Sequence, residues 1–300
     1  MPKIDHQQTI CSGTIFDRSR QQLIRLGLIL ILLALTPLIL LASCQSKLIY
    51  FPRPYKVDEA RDWRDLSGGR IVEYETSQGK QRAFLQGELV KPRRLWVVCG
   101  GNGTVALDWS HWFKDRAPAG DAWLLVDYPG YGDCEGKPSP GHIRENLRAV
   151  VPLAAKEVGL PVGADGKPEA GRLRFFGHSL GAAVSLMAAS EFGIQRGVLL
   201  TPFTSTMDMS QAMTGLPLGF LVWHRFDNSA RLAELAKRGP GHVVILHGTT
   251  DEAIPVEMGR KLAAEREDVV RFVEIPGGRH NTLQETNTAE VVRAIVEAGE

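Results

Sequence analysis

The sequence predicts an α/β fold built on a doubly wound, mostly parallel sheet, and three observations carry that prediction. Apolar runs of strand length recur along the chain, among them 95–99, 122–126 and 242–246. A run that is apolar at every position suits a strand covered by helices on both faces. Segments with a helical apolar period lie between these runs, clearest at 143–158 and 289–298, and strands alternating with helices argue for parallel crossovers. Finally, Gly177-His-Ser-Leu-Gly181 stands between a strand-like run, 173–176, and a small-residue helical run, 182–189. Gly-x-Ser-x-Gly at such a junction forms a sharp turn that lifts the serine out of the sheet. Ser179 is therefore the candidate nucleophile.

The elements follow in order. Arg18, Arg20 and Arg25 precede an apolar run, 26–41, which ends in Leu41-Ala-Ser-Cys44. A basic stretch, an apolar core and small residues before a boundary make an export-signal pattern. The last four residues resemble the bacterial lipobox, which implies cleavage before Cys44 and a lipid on its sulfur. The alternative is an uncleaved anchor helix, since the run is nearly long enough to span a bilayer. In both cases residues 1–43 stand apart from a domain at 44–300, which is expected to be membrane-tethered and outside the cytoplasm. The membrane is either the cell membrane or an outer membrane; Gln45, in place of an aspartate, favours the outer one where the organism has it. Cys99 and Cys134 would remain, and the sequence leaves open whether they pair.

Within the domain, strands are expected at 71–76 and 83–89, joined as an antiparallel hairpin through the polar loop 77–80. Ser139-Pro140 marks the start of the helix at 143–158. Further strands are expected at 197–200 and 269–275. Residues 202–240 read as the longest irregular connection. Its apolar residues, including Met207, Met213, Leu216, Phe220 and Trp223, are ordinarily explained by core packing, with a small lid as the alternative.

A serine hydroxyl needs a base within hydrogen-bond reach. In a fold of this kind the acid and base follow the nucleophile in the order Ser, Asp or Glu, His. Asp251 lies in the loop after the run 242–246, and His280 in the loop after 269–275. Both loops leave carboxyl ends of strands, the functional edge of an open α/β sheet. Asp251 is the candidate acid and His280 the candidate base. His247 is expected to orient the Asp251 loop, and His178 to be the variable residue of the turn. Two backbone N–H groups should face the developing oxyanion. Leu180 supplies one; Asn102, in Gly100-Gly-Asn-Gly103, supplies the other, with Gly101 as the fallback.

A rival reading takes Gly101-Asn-Gly-Thr-Val-Ala106 and Asp127 as parts of a dinucleotide fingerprint. It makes 108–112 a poor first helix and leaves Ser179, Asp251 and His280 unexplained. No C-x-x-C or H-E-x-x-H spacing occurs, so no metal or other cofactor is expected. The net charge of +1 and the lack of a basic tract give no sign of nucleic-acid binding.

Taken together, Gly100-Gly-Asn-Gly103, Asp127-Tyr-Pro-Gly-Tyr-Gly132, Gly177-His-Ser-Leu-Gly181, Thr201-Pro-Phe-Thr-Ser205, 247–255 and 277–281 resemble the α/β-hydrolase superfamily. Within it the chain is similar to the BEM46/ABHD17-like serine hydrolases over roughly 48–295. The resemblance implies an eight-stranded sheet and carries nucleophile, acid and base onto Ser179, Asp251 and His280. Gly100 stands where the family usually has histidine. The expected activity is a membrane-tethered serine hydrolase acting on a small-molecule carboxylic ester or thioester. Peptidase or amidase action, or a hydrolase-fold lipoprotein that binds without turnover, are the alternatives.

Overall fold

In the computed structural model, which describes residues 20–33, 35–36 and 45–300, eight strands form one sheet in the order β1-β2-β4-β3-β5-β6-β7-β8. They are β1 (Arg70–Thr76), β2 (Gly79–Gly87), β3 (Leu95–Cys99), β4 (Ala122–Val126), β5 (Leu173–His178), β6 (Arg196–Leu200), β7 (His242–Gly248) and β8 (Val270–Ile275). β2 is antiparallel to both β1 and β4, and every other pairing is parallel. The principal helices are α1 (Glu59–Ser67), α2 (Ala106–Arg116), α3 (Pro140–Glu157), α4 (Leu180–Phe192), α5 (Thr206–Thr214), α6 (Asn228–Lys237), α7 (Val256–Glu265) and α8 (Thr288–Gly299).

The strand order places the site. After β3 the chain crosses to β4 on one side and later to β5 on the other, so the order reverses between β3 and β5. Ligands of open α/β sheets bind at such a switch point, beyond the carboxyl ends of the strands. The register sets Cys99 beside Gly177, so the loop after β3 and the turn after β5 emerge together. Every residue of β3, β4 and β5 is buried, as the uninterrupted apolar runs of β3 and β4 predict for a sheet covered on both faces.

Three expectations need correction. The first hairpin is tighter than expected: Thr76 pairs with Gly79, and β2 begins where a loop was predicted. Residues 108–112, read as a poor helix, lie inside α2. Its apolar face buries Trp109, Trp112 and Phe113, and Phe113 stacks on Trp123 with centroids 4.4 Å apart. Capping completes it, since the Asp108 carboxylate accepts from Val105 N at 2.9 Å and Asp127 accepts from Ala106 N at 2.7 Å. Tertiary burial and two carboxylates thus override weak local propensity. The third correction concerns 202–240, which is mostly helical. It holds α5, a 3-10 turn at Leu218–Leu221 and α6, with Ser205 and Asp227 capping the two α-helices. Core packing explains only part of its apolar content: Phe203, Phe226, Leu232 and Leu235 are buried and Met209 packs against the core, whereas Met207, Met213, Leu216, Phe220 and Trp223 are exposed.

The helix at 143–158 begins at Pro140, with the Ser139 hydroxyl accepting from His142 N at 3.1 Å. Two arginines at strand starts hold the far end of α8. Arg174 donates to Ala298 O at 2.8 Å and Gly299 O at 3.1 Å, and Arg196 to Glu297 O at 3.0 Å. They satisfy carbonyls that have no partner within the helix.

The chain divides into two units at Gln45 and Ser46. In the first, the described residues 20–33 are helical and expose apolar side chains such as Leu26, Ile29 and Leu33. No helix of the described residues is long and apolar enough to cross a membrane. Cys44, the expected lipidation site, lies outside the described residues, as do most of the residues assigned to the export signal.

Candidate active site

Ser179 joins β5 to α4 at φ 55° and ψ −120°, a strained conformation for a residue with a side chain. The neighbouring structure enforces it. A Cβ at Gly177 would run into Gly181 O and Ser185 Oγ, and one at Gly181 into the carbonyls of Cys99 and Gly100. Glycine at these two positions lets strand, turn and helix approach closely enough to close the elbow. Ser179 N donates to Leu200 O at 3.0 Å. Among the described residues, no side chain hydrogen-bonds to its Oγ.

Asp251 and His280 meet on the same edge. His280 Nδ1 lies 2.8 Å from Asp251 Oδ2, a carboxylate acceptor that fixes the proton on Nδ1 and leaves Nε2 with its lone pair in the neutral ring. The Asp251 side chain is fully buried. Its second oxygen accepts from Ala253 N at 2.9 Å and Ile254 N at 2.8 Å. Burial acts to raise this carboxyl. Hydrogen bonds from His247, His280 and Ile254 N outweigh it, and hold the group well below the ordinary carboxylate range. His247, buried at the end of β7, places Nε2 3.3 Å from Asp251 Oδ2 and 3.0 Å from Ile254 O. It orients the acid's loop, as the sequence suggests.

His178 does more than fill the variable position of the elbow. Its Nε2 donates to His280 O at 3.0 Å, and the two ring centroids are 5.0 Å apart. Glu252 accepts from His280 N at 3.4 Å. The candidate base is thus held at its N–H, its carbonyl and its Nδ1. Burial, then the neighbouring His280, pushes His178 down to about 4, so it stays neutral beside the base. Nothing local in the sequence signals these contacts, because His178 and His280 are 102 positions apart.

The donors expected for an oxyanion lie across the β3–β5 junction. Leu180 is the first residue of α4, and its N–H has no acceptor within the helix. Gly101 is the loop residue that abuts the nucleophile: a Cβ there would lie 3.2 Å from His178 Nδ1 and 3.6 Å from Ser179 Cβ. Asn102 follows, its carbonyl held by Phe51 N at 2.9 Å and by Tyr131 OH at 2.7 Å. Neither Gly101 N nor Asn102 N donates to another described residue. Gly100 has a packing reason to lack a side chain, since a Cβ there would sit 3.2 Å from Trp109 Nε1.

Asp127, the acidic residue of the rival dinucleotide reading, is buried and committed. It accepts from Tyr55 OH and from Ala106 N, each at 2.7 Å, so it caps α2 and presents no carboxylate for a ribose. Cys99 and Cys134 are both free and buried, which settles the pairing question.

Elbow, switch point and strand order together define a class of protein. The fold is the alpha/beta hydrolase fold, and the alpha/beta hydrolase family matches the chain over residues 96–237. An uncharacterized protein of Mycobacterium tuberculosis is 29% identical over 242 residues, covering 80% of this chain and 81% of that protein. Alpha/beta hydrolase domain-containing protein 17B of Xenopus laevis is 25% identical over 158 residues, 53% of this chain and 50% of its own length. Among solved structures, an esterase of Pyrococcus furiosus superposes with a TM-score of 0.61 at 16% identity, covering 83% of this chain and 96% of that one. An alpha-beta hydrolase from Vibrio vulnificus superposes with a TM-score of 0.58 at 15% identity, over 81% and 87% of the two chains. At these identities the structural likeness is one of fold.

Proposed function

We propose that this α/β-hydrolase is a serine hydrolase that cleaves a carboxylic ester or thioester through a covalent acyl-enzyme. The observation that carries the reading is Ser179, held at φ 55° on the sheet edge that also bears the Asp251–His280 pair, 2.8 Å apart. In the first step Ser179 Oγ attacks the carbonyl carbon while His280 Nε2 takes the hydroxyl proton. Asp251 keeps the imidazole in the required tautomer and stabilises the imidazolium. The carbonyl oxygen becomes an oxyanion facing Leu180 N and the N–H of Asn102 or Gly101. Collapse breaks the bond to the leaving alcohol or thiol, which receives the proton from His280. Water, activated by the same His280, then hydrolyses the acyl-serine.

Turnover of a p-nitrophenyl ester and of an acyl thioester by the full chain tests this reading. Ser179→Ala should abolish both activities and leave the thermal unfolding transition in place; full activity in that variant would remove Ser179 from the mechanism.

The second part of the proposal is tethering through the apolar segment 26–41 or a lipid on Cys44. A lipid chain contributes about 0.8 kcal/mol per buried CH₂, so several chains hold a domain at a membrane. Metabolic labelling with a radioactive fatty acid should mark the chain and be lost in Cys44→Ser. Unchanged labelling in that variant would exclude Cys44 as the attachment point.

A further inference from the structure

We propose that residues 48–52 and 209–224 form one uncharged surface that seats in the interfacial layer of a lipid bilayer, beside the mouth of the site. Neither segment contains Asp, Glu, Lys or Arg. Leu48 is 56% exposed, Phe51 54%, Met213 76%, Leu216 55% and Phe220 64%. The two segments are joined: His224 Nδ1 lies 3.2 Å from Tyr50 OH, with ring centroids 5.5 Å apart. Buried Gly219 packs the 3-10 turn against Met207 of α5, so Phe220 is carried on an ordered element.

A contiguous exposed apolar patch of this kind marks an interaction site. Chain connectivity selects the bilayer as the partner. The patch begins at Leu48, only a few residues after the apolar run 26–41 and Cys44, so a tether there delivers it to the membrane at high effective concentration. Exposed Lys47 and Arg225 flank the two segments, where cations meet headgroup phosphates. The carboxylates bracketing the longer segment are occupied, Asp208 by Thr204 and Asp227 by Ala230 N.

The surface also touches the chemistry, because Phe51 N donates to Asn102 O at 2.9 Å in the expected oxyanion loop. An acyl chain dissolved in the bilayer would reach Ser179 along this face. That points to a membrane-resident amphiphile as the substrate class. The docking rests on the proposed tether; it does not rest on the chemistry at Ser179.

The test uses the full chain reconstituted in phosphatidylcholine–phosphatidylglycerol vesicles, with an environment-sensitive fluorophore on Phe220→Cys. Val90→Cys is the control: Val90 is exposed in the loop before β3, at the opposite edge of the sheet. Each is compared with the unsubstituted chain treated identically. Doxyl-labelled phospholipid should quench position 220 several-fold more than position 90, and equally so in a Ser179→Ala background. Equal quenching at the two positions would overturn the proposal. So would a change at 220 that needs no doxyl lipid and follows protein density, which would assign the face to a second copy. Flotation of the same samples reads the tether separately. Protein that floats with position 220 unquenched keeps the tether and refutes the docking, whereas protein that does not float refutes both.

Discussion

His280 and Met213 show two ways in which the same chain treats its surface. His280 is held at its N–H by Glu252, at its carbonyl by His178 and at Nδ1 by Asp251. Met213 leaves 76% of its area in solvent and lies in a stretch without a single charged side chain. The first region is over-determined, so a change to one group leaves buried partners unsatisfied, at a cost of about 1–3 kcal/mol for each. The second contributes little to the fold, and its apolar content needs a reason other than core packing. Geometry is conserved energetically at the sheet edge, whereas composition is what distinguishes the exposed segment.

The comparison is sharpest in kinetics. His280→Ala and Asp251→Asn should each lower kcat for ester hydrolysis by about three to four orders of magnitude, with KM little changed and the far-ultraviolet circular dichroism preserved. A loss of less than tenfold in either would remove that residue from the proton path. Next in size is Gly181→Ala, which drives a methyl group into the Cys99 and Gly100 carbonyls. We expect it to cost about 3 kcal/mol or more in urea unfolding; a neutral result would mean that the elbow can relax.

Stability against pH offers a third test. His178 is pushed down from 6.5 to about 4, first by burial and then by His280. As pH falls through that window the unfolded chain binds a proton that the folded chain refuses, so stability declines. Asp127 is pushed up from 3.8 to about 7 by burial, with hydrogen bonds from Tyr55 and Ala106 N opposing. Here the folded chain keeps a proton that the unfolded chain releases, so this contribution declines as pH rises towards about 7. The two slopes, each on the order of 1 kcal/mol per pH unit, oppose one another over the shared window. Asp127→Asn should therefore steepen the loss of stability on acidification, as read by urea midpoints across the acid range; an unchanged slope would contradict the assignment. The smallest effect belongs to the exposed segment. Met213→Ser with Phe220→Ser should move folding stability by no more than about 0.5 kcal/mol, and a large loss would show that these side chains serve the core after all.

What was legible in the sequence was local. Ser179 sits in a motif whose turn needs glycines within a few residues, and Asp251 and His280 each follow an apolar strand. Topology then brings three short readings to one edge. What escaped depends on partners distant in the chain. α2 looked weak because its caps and its buried face are completed by Asp127 and Trp123. His178 looked incidental because its acceptor lies on another loop. Residues 202–240 divide for a different reason: apolar content coincides with burial at Phe203, Phe226, Leu232 and Leu235 but not at Met213, Leu216, Phe220 and Trp223, which lie in the stretch 209–224 that carries no Asp, Glu, Lys or Arg.

The central claim is that Ser179 is activated by His280 on this edge. Fluorophosphonate labelling of the full chain, with mass mapping of the adduct, tests it most directly, because the probe modifies a serine that a base and an oxyanion site together have made nucleophilic. The account predicts a single adduct on Ser179 that disappears in His280→Ala. Folded protein that takes up no probe, or an adduct that persists in His280→Ala, would contradict it.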